Sequence, residues 1–117
     1  MVSRLNNLSH EEILQYVNLK DNLTELLNRI CATTGVCIEE LKTPSRSRNL
    51  AYIRTSYSRI AKDTYPKASE SLIGSLINRD HSSIHYMLNQ AVEVREKRQH
   101  CEELREKLKI VAYDFQI

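Results

Sequence analysis

The stretch NRDHSSIHYML, residues 78–88, sets a polar cluster directly ahead of an apolar helical pattern. Asn78, Arg79, Asp80, His81, Ser82 and Ser83 come first, and Ile84, Met87 and Leu88 follow at i, i+3 and i+4 spacing. Asp80 has the chemistry of an N-cap, so a helix is predicted to start near His81. His81, Ser82 and His85 then project on one side of that helix, while Ile84 and Leu88 point to a core. Just upstream, SESLIGSLI carries Leu72, Ile73, Leu76 and Ile77 in a second short helix. Two helices joined by the polar turn NRD make a helix-turn-helix candidate, although many helical bundles share this pattern.

The rest of the chain also reads as helices. Ser9 and Glu12 form a capping box that starts a helix at HEEILQYVNL, with Ile13, Leu14 and Val17 on one apolar face. Asp21 is predicted to cap a second helix bearing Leu23, Leu26, Leu27 and Ile30, stopped by Gly35. A short helix near IEELK leads into the loop TPSRSR. The next helix, NLAYIRTSYSRIAKDTY, puts Leu50, Ile53, Tyr57, Ile60 and Ala61 on one side and Arg54, Arg59 and Lys62 on others; Pro66 ends it. The last helix is predicted from 81 to about 112. Its stripe of Ile84, Leu88 and Ala91 stops at REKRQH, and a second stripe of Cys101, Leu104, Leu108, Val111 and Phe115 resumes. That second stripe packs either on the N-terminal helix of its own chain or against another copy or partner. At barely two heptads it favours the intrachain choice. The expected organisation is one all-α domain over 1–117. Residues 1–20 form an N-terminal extension, 21–100 the helix-turn-helix core and 101–117 a C-terminal helical extension.

Composition narrows the function. Charged residues make up 27% of the 117 and hydrophobic ones 41%, the balance of a globular chain. No run resembles a signal peptide or a membrane span, so a cytoplasmic protein is expected. Cys31, Cys37 and Cys101 are odd in number and lack C-x-x-C spacing, which suits reduced thiols serving as small core residues. The two glycines, Gly35 and Gly74, are too far apart for a phosphate loop or a dinucleotide fingerprint, so no nucleotide cofactor is expected. His81 and His85 at i, i+4 lack a third ligand or an H-E-x-x-H glutamate, so no metal is expected either. His100 and Cys101 read as a surface pair. The serines of SSI lack nucleophile-elbow glycines, and nothing signals an enzyme.

The net charge of +2 conceals a segregation. Residues 1–41 carry three basic and six acidic side chains, whereas residues 42–79 carry eight basic ones against Asp63 and Glu70. Residues 80–117 are nearly balanced, with six basic and seven acidic. A basic block beside a polar helix tip is the footprint of a phosphate-binding face; its plainer alternative is a solvated surface.

GSLINRDHSSIHYML resembles the signature of the C-terminal DNA-binding domain of DnaA, the bacterial chromosomal replication initiator. That family shows a Gly, then Arg-Asp-His, two hydroxyl residues and a β-branched residue, with small variation in the turn. VCIEELKTPSRSRNLAYIR and IAKD resemble the family's short helix, basic loop and following helix, so residues 20–110 or so are covered. The resemblance implies the fold of that domain, which is similar to that of the tryptophan repressor, and a sequence-specific double-stranded DNA-binding function. The helix from about residue 80 would enter the major groove, with Asp80, His81 and Ser82 as base readers. Arg46 falls on the family's minor-groove arginine, with Arg48 as the alternative in a shifted register. Ser83, Arg54 and Lys62 match backbone-contacting positions. Thr55 and Tyr86 stand where the family commonly has Gln and His and, with Arg48, are also expected to contact the backbone; Ser82 stands where many members have Thr.

Asp80 would cap its helix even without DNA, and Arg79 would serve equally as a brace of the turn. The chain lacks an ATPase module, so the expectation is a DNA-reading domain on its own. It would act as a transcription or replication regulator, of the kind phages and mobile elements encode, occupying initiator-type boxes in the nucleoid. The competing expectation is a protein-interaction adaptor, or a modulator of a host initiator, that uses the C-terminal stripe and binds DNA weakly.

Overall fold

The computed structural model describes residues 9–109, which form six helices and no strands. The fold class is all-α, as the periodicity predicts.

Helix α1 spans His10–Thr34. Ser9 and Glu12 form the capping box, and Gly35, at φ 77°, ends the helix with its N–H on the Cys31 carbonyl. The expected break at Asp21 does not occur. Residues 18–22 contain neither glycine nor proline, and an exposed Asp inside a helix costs less than an extra pair of helix ends. Only the second half of α1 enters the core, through Leu23, Leu26, Leu27 and Ile30. Leu14 and Val17, expected on a packed face, are exposed.

Helix α2 (Ile38–Lys42) is one short turn before the basic loop. Its N-cap, Cys37, is exposed rather than a core residue as expected; its thiol donates to Glu40 Oε1 at 3.1 Å. Cys31 is half-buried and Cys101 buried, and burial pushes both thiols up.

Helix α3 (Arg48–Thr64) is the hub and packs against every other helix. Leu50, Ile53, Tyr57, Ile60 and Ala61 are buried as expected. So are Arg54, which sequence spacing had put on an outer face, and Thr55, Ser56 and Ser58. A helix packed on most of its circumference must satisfy its buried polar groups internally. Tyr57 Oη donates to the Ile73 carbonyl at 2.8 Å, and Ser58 Oγ to the Arg54 carbonyl at 2.8 Å. Among the described residues no buried side-chain nitrogen or oxygen lacks a partner.

Helices α4 (Glu70–Ser75) and α5 (His81–Glu93) flank the turn at residues 76–80. That turn is closed by a hydrogen-bond pair of the Schellman kind: Arg79 N–H donates to the Gly74 carbonyl at 2.9 Å and Asn78 N–H to the Ser75 carbonyl at 3.5 Å. Asn78 takes the left-handed conformation, φ 56°. Gly74 is required for a different reason. A Cβ there would sit 2.3 Å from the Arg79 carbonyl oxygen and 2.9 Å from Ile84 Cγ1, so only glycine lets α4 approach the turn and α5 this closely.

The single last helix expected from 81 to about 112 is two helices. Val94 is extended (φ −91°, ψ 112°), and α6 runs Arg95–Lys107. A straight continuation through REKRQH would carry no apolar face. Breaking at Val94 returns Cys101, Leu104 and Leu108 to the core against α3 and α5. First-turn side chains of α6 satisfy the end of α5: Lys97 donates to the Gln90 side-chain carbonyl and Arg98 to the Val92 carbonyl. Arg29 of α1 closes the other end of α6 on the Leu108 carbonyl at 2.7 Å. The described part of the C-terminal stripe is therefore intrachain core, but packed mainly on α3 and α5 rather than on the N-terminal helix as expected, because the break at Val94 folds α6 back across them; Val111 and Phe115 lie outside the described residues.

Candidate nucleic-acid interface

The basic loop at 43–47 has no regular structure, yet it is fixed from below. Arg54 is 4% exposed and reaches up from α3. Its Nε donates to the Leu41 carbonyl (2.9 Å), Nη1 to Ser45 (2.6 Å), and Nη2 to Thr43 (2.9 Å) and Glu40 (3.3 Å). Arg79 comes from the turn, and its Nη2 donates to the same Thr43 carbonyl at 2.7 Å. Two guanidinium groups thus meet on one acceptor with no carboxylate between them. Burial and the neighbouring Arg79 charge hold the Arg54 guanidinium below its ordinary pKa. It stays charged at neutral pH.

Between this loop and α5 runs a groove of about 810 Å³. Its basic lining is Lys42, Arg46, Arg54, Arg79 and Lys97; Ser83, Tyr86 and Gln90 of α5 form the opposite wall. No acidic side chain lines it. Arg46 and Arg48 are exposed and form no hydrogen bond or ion pair with a described residue. The unpaired, water-exposed Arg46 guanidinium over a carboxylate-free groove gives a local positive potential that the net charge of the chain hides.

The tip of α5 is presented to solvent. His81 and Ser82 are exposed, Ser83 is half-buried, and Tyr86 is 63% exposed on the groove side. Asp80 is the N-cap: its Oδ1 accepts from Ser83 N–H at 2.9 Å. That bond and one from the Ser83 hydroxyl hold its carboxyl below the usual carboxylate range. His85 pairs with Glu70 of α4 at 3.1 Å rather than standing free.

The site residues named from sequence therefore divide. Arg46, Ser83 and Tyr86 line one groove, with His81 and Ser82 at the exposed tip of the same helix. Arg54, Thr55 and Lys62, assigned to the DNA backbone, are placed otherwise. Arg54 is spent on four carbonyls, and Thr55 is 1% exposed at the groove floor. Lys62 Nζ donates to the carbonyls of Ala68 (2.7 Å) and Pro66 (3.2 Å), bracing the link to α4. Sequence reasoning missed Lys97 as a groove residue. On an unbroken helix it would have been carried away from the loop, and nothing in REKRQH signals the break at Val94.

No family model, curated protein or solved structure matches the chain.

One other polar cluster sits on α3 and α6. Ser56 Oγ lies 2.7 Å from His100 Nδ1, and the His100 ring packs edge-on against Tyr52. His100 is half-buried and Cys101 buried, so the two are not the surface pair expected. Ser56 is fully buried, which keeps its hydroxyl from any substrate. Among the described residues no group of three metal-binding side chains forms, and no helix is long and apolar enough to cross a membrane.

Burial lowers the His100 pKa from its ordinary 6.5. The unfolded chain thus takes up the proton more readily, so this site's contribution is complete above about pH 6.5 and is lost as pH falls toward the folded value. The expected result is a denaturation midpoint that drops on acidification below that pH. His100→Asn, whose amide can still meet Ser56, is expected to flatten the drop; an unchanged slope would remove His100 as its cause.

Proposed function

We propose that the chain is a sequence-specific double-stranded DNA-binding protein in which α4 and α5 act as a helix-turn-helix. The tip of α5 would enter the major groove and Arg46 the neighbouring minor groove. One observation carries this reading: a groove with five basic residues and no acid separates the arginine-bearing loop from the exposed tip of α5. Where a helix occupies one groove of a duplex and a loop the next, a phosphate strand runs between them. Lys42, Arg79 and Lys97 line the place it would take. The likeness of RDHSS and the basic loop to the initiator's DNA-binding domain supports the same reading and suggests initiator-type boxes as targets. A regulator of transcription or replication associated with the nucleoid would follow.

Base reading falls to His81 and Ser82, with Asp80 limited by its capping bond, and backbone contact to Arg48, Ser83 and Tyr86. Arg54, Thr55 and Lys62 support the face instead of touching DNA. The burial of Cys101, Leu104 and Leu108, the described part of the stripe on which the adaptor alternative relies, favours the DNA reading over it.

Fluorescence anisotropy with an initiator-box duplex and a scrambled duplex, at moderate salt, tests the proposal. Wild type is expected to prefer the box, and equal affinities would sink specific recognition. His81→Ala is expected to cost about 1–3 kcal/mol on the box and little on the scrambled duplex.

A further inference from the structure

Among the described residues, the core and the proposed DNA face leave an apolar face of α1 unused. In the first half of α1, Leu14 is 48% and Val17 45% exposed, with Ile13 beside them half-buried. At 100° per residue these three point roughly 140° away from Leu23, Leu26, Leu27 and Ile30, which face the core. The face therefore cannot be an overhang of the core stripe. It is a separate seam pointing away from the body.

The seam is short and bounded by polar residues. His10 stands four residues before Leu14, and Asp21 four residues after Val17; both are exposed. In heptad terms His10, Leu14, Val17 and Asp21 occupy consecutive d, a, d and a positions. A parallel copy would set His10 against His10 and Asp21 against Asp21. An antiparallel copy sets Leu14 against Val17 twice, and His10 against Asp21 twice, closing both ends with an imidazole facing a carboxylate. Flanking positions agree: Ile13 of one copy meets the aliphatic stem of Lys20 of the other, and Glu11 meets the neutral Asn18. The seam is self-complementary about a two-fold axis, as an isologous contact requires.

We propose that this face of α1 pairs antiparallel with the same face of a second copy of the chain. The inference stands independently of DNA binding. With two apolar layers the contact is weak, so the chain is monomeric when dilute and dimeric at high concentration or where two copies are held together.

Sedimentation equilibrium of the full chain over a concentration series into the millimolar range tests it. The mass is expected to rise from the 13.6 kDa monomer toward twice that value. Val17→Glu is expected to weaken the association ~10-fold or more by burying a charge in the seam. His10→Asp sets two carboxylates together and Asp21→Lys removes the carboxylate that faces His10, so each weakens it, while the double variant H10D/D21K restores it by pairing the introduced carboxylate with the introduced ammonium. All three sites are exposed, so thermal denaturation of each variant is expected to match wild type at low concentration. A monomer at every concentration overturns the proposal, as when the chain's own remaining residues cover the seam. So does a dimer indifferent to Val17→Glu, or a double variant no better than the weaker single.

Discussion

Gly74→Ala is expected to lower the stability of the chain by about 3 kcal/mol, at the upper end of what overpacking costs. The added methyl would fall 2.3 Å from the Arg79 carbonyl oxygen, which belongs to the backbone and cannot rotate away. Relief requires α4 to shift from the turn, breaking the bond from Arg79 N–H to the Gly74 carbonyl and pushing Ile84 from its buried position. In a domain of this size the loss corresponds to a fall in melting temperature of roughly 12 °C. Gly35→Ala is the control. Nothing lies within 4 Å of its added Cβ, and only the left-handed φ of 77° is disfavoured, for roughly 1–2 kcal/mol. Denaturant unfolding of both variants decides the matter, and a Gly74→Ala midpoint as high as that of Gly35→Ala would contradict the close approach.

Arg54→Met is expected to cost about 3 kcal/mol, because methionine fills the stem's volume but returns none of the charge-assisted bonds to Leu41, Thr43 and Ser45. The damage should concentrate in the loop. Trypsin cleavage after Arg46 and Arg48 is expected to accelerate well before the global transition is reached. Duplex binding separates this role from a phosphate contact. If Arg54 acts by holding the loop, its loss and that of Arg46 are strongly non-additive, and Arg54→Met in an Arg46→Ala background does little further harm. If Arg54 touches phosphate directly, the two losses add.

The helix inventory was largely legible because it rests on local signals. Ser9, Gly35 and Asp80 each mark a helix end by their own chemistry, and each occurs as expected. The failures are tertiary. Asp21 looks like a cap, but the chain on both sides gains more by continuing. Val94 looks like mid-helix, but the apolar residues beyond it reach the core only through a break. At the site, exposure of His81, Ser82 and Arg46 follows from position on a helix tip and a loop. The burial of Arg54 does not. Its spacing from Ile53 and Tyr57 puts it off the apolar face, and only the loop folding over α3 turns an outward arginine into an inward one. An arginine's charge is visible in a sequence; whether carbonyls or solvent will receive it depends on chain that lies far away in number.

Thr43 offers one oxygen to two arginines, one rooted in α3 and the other in the turn ahead of α5. The loop and the helix tip are thereby yoked. On the proposed reading, a wrong base pair that tilts α5 would also drag Arg46 out of register, so errors in the two halves of a binding site would be punished jointly rather than summed. A small protein with few base contacts would gain in this way a sharper discrimination than those contacts supply one by one.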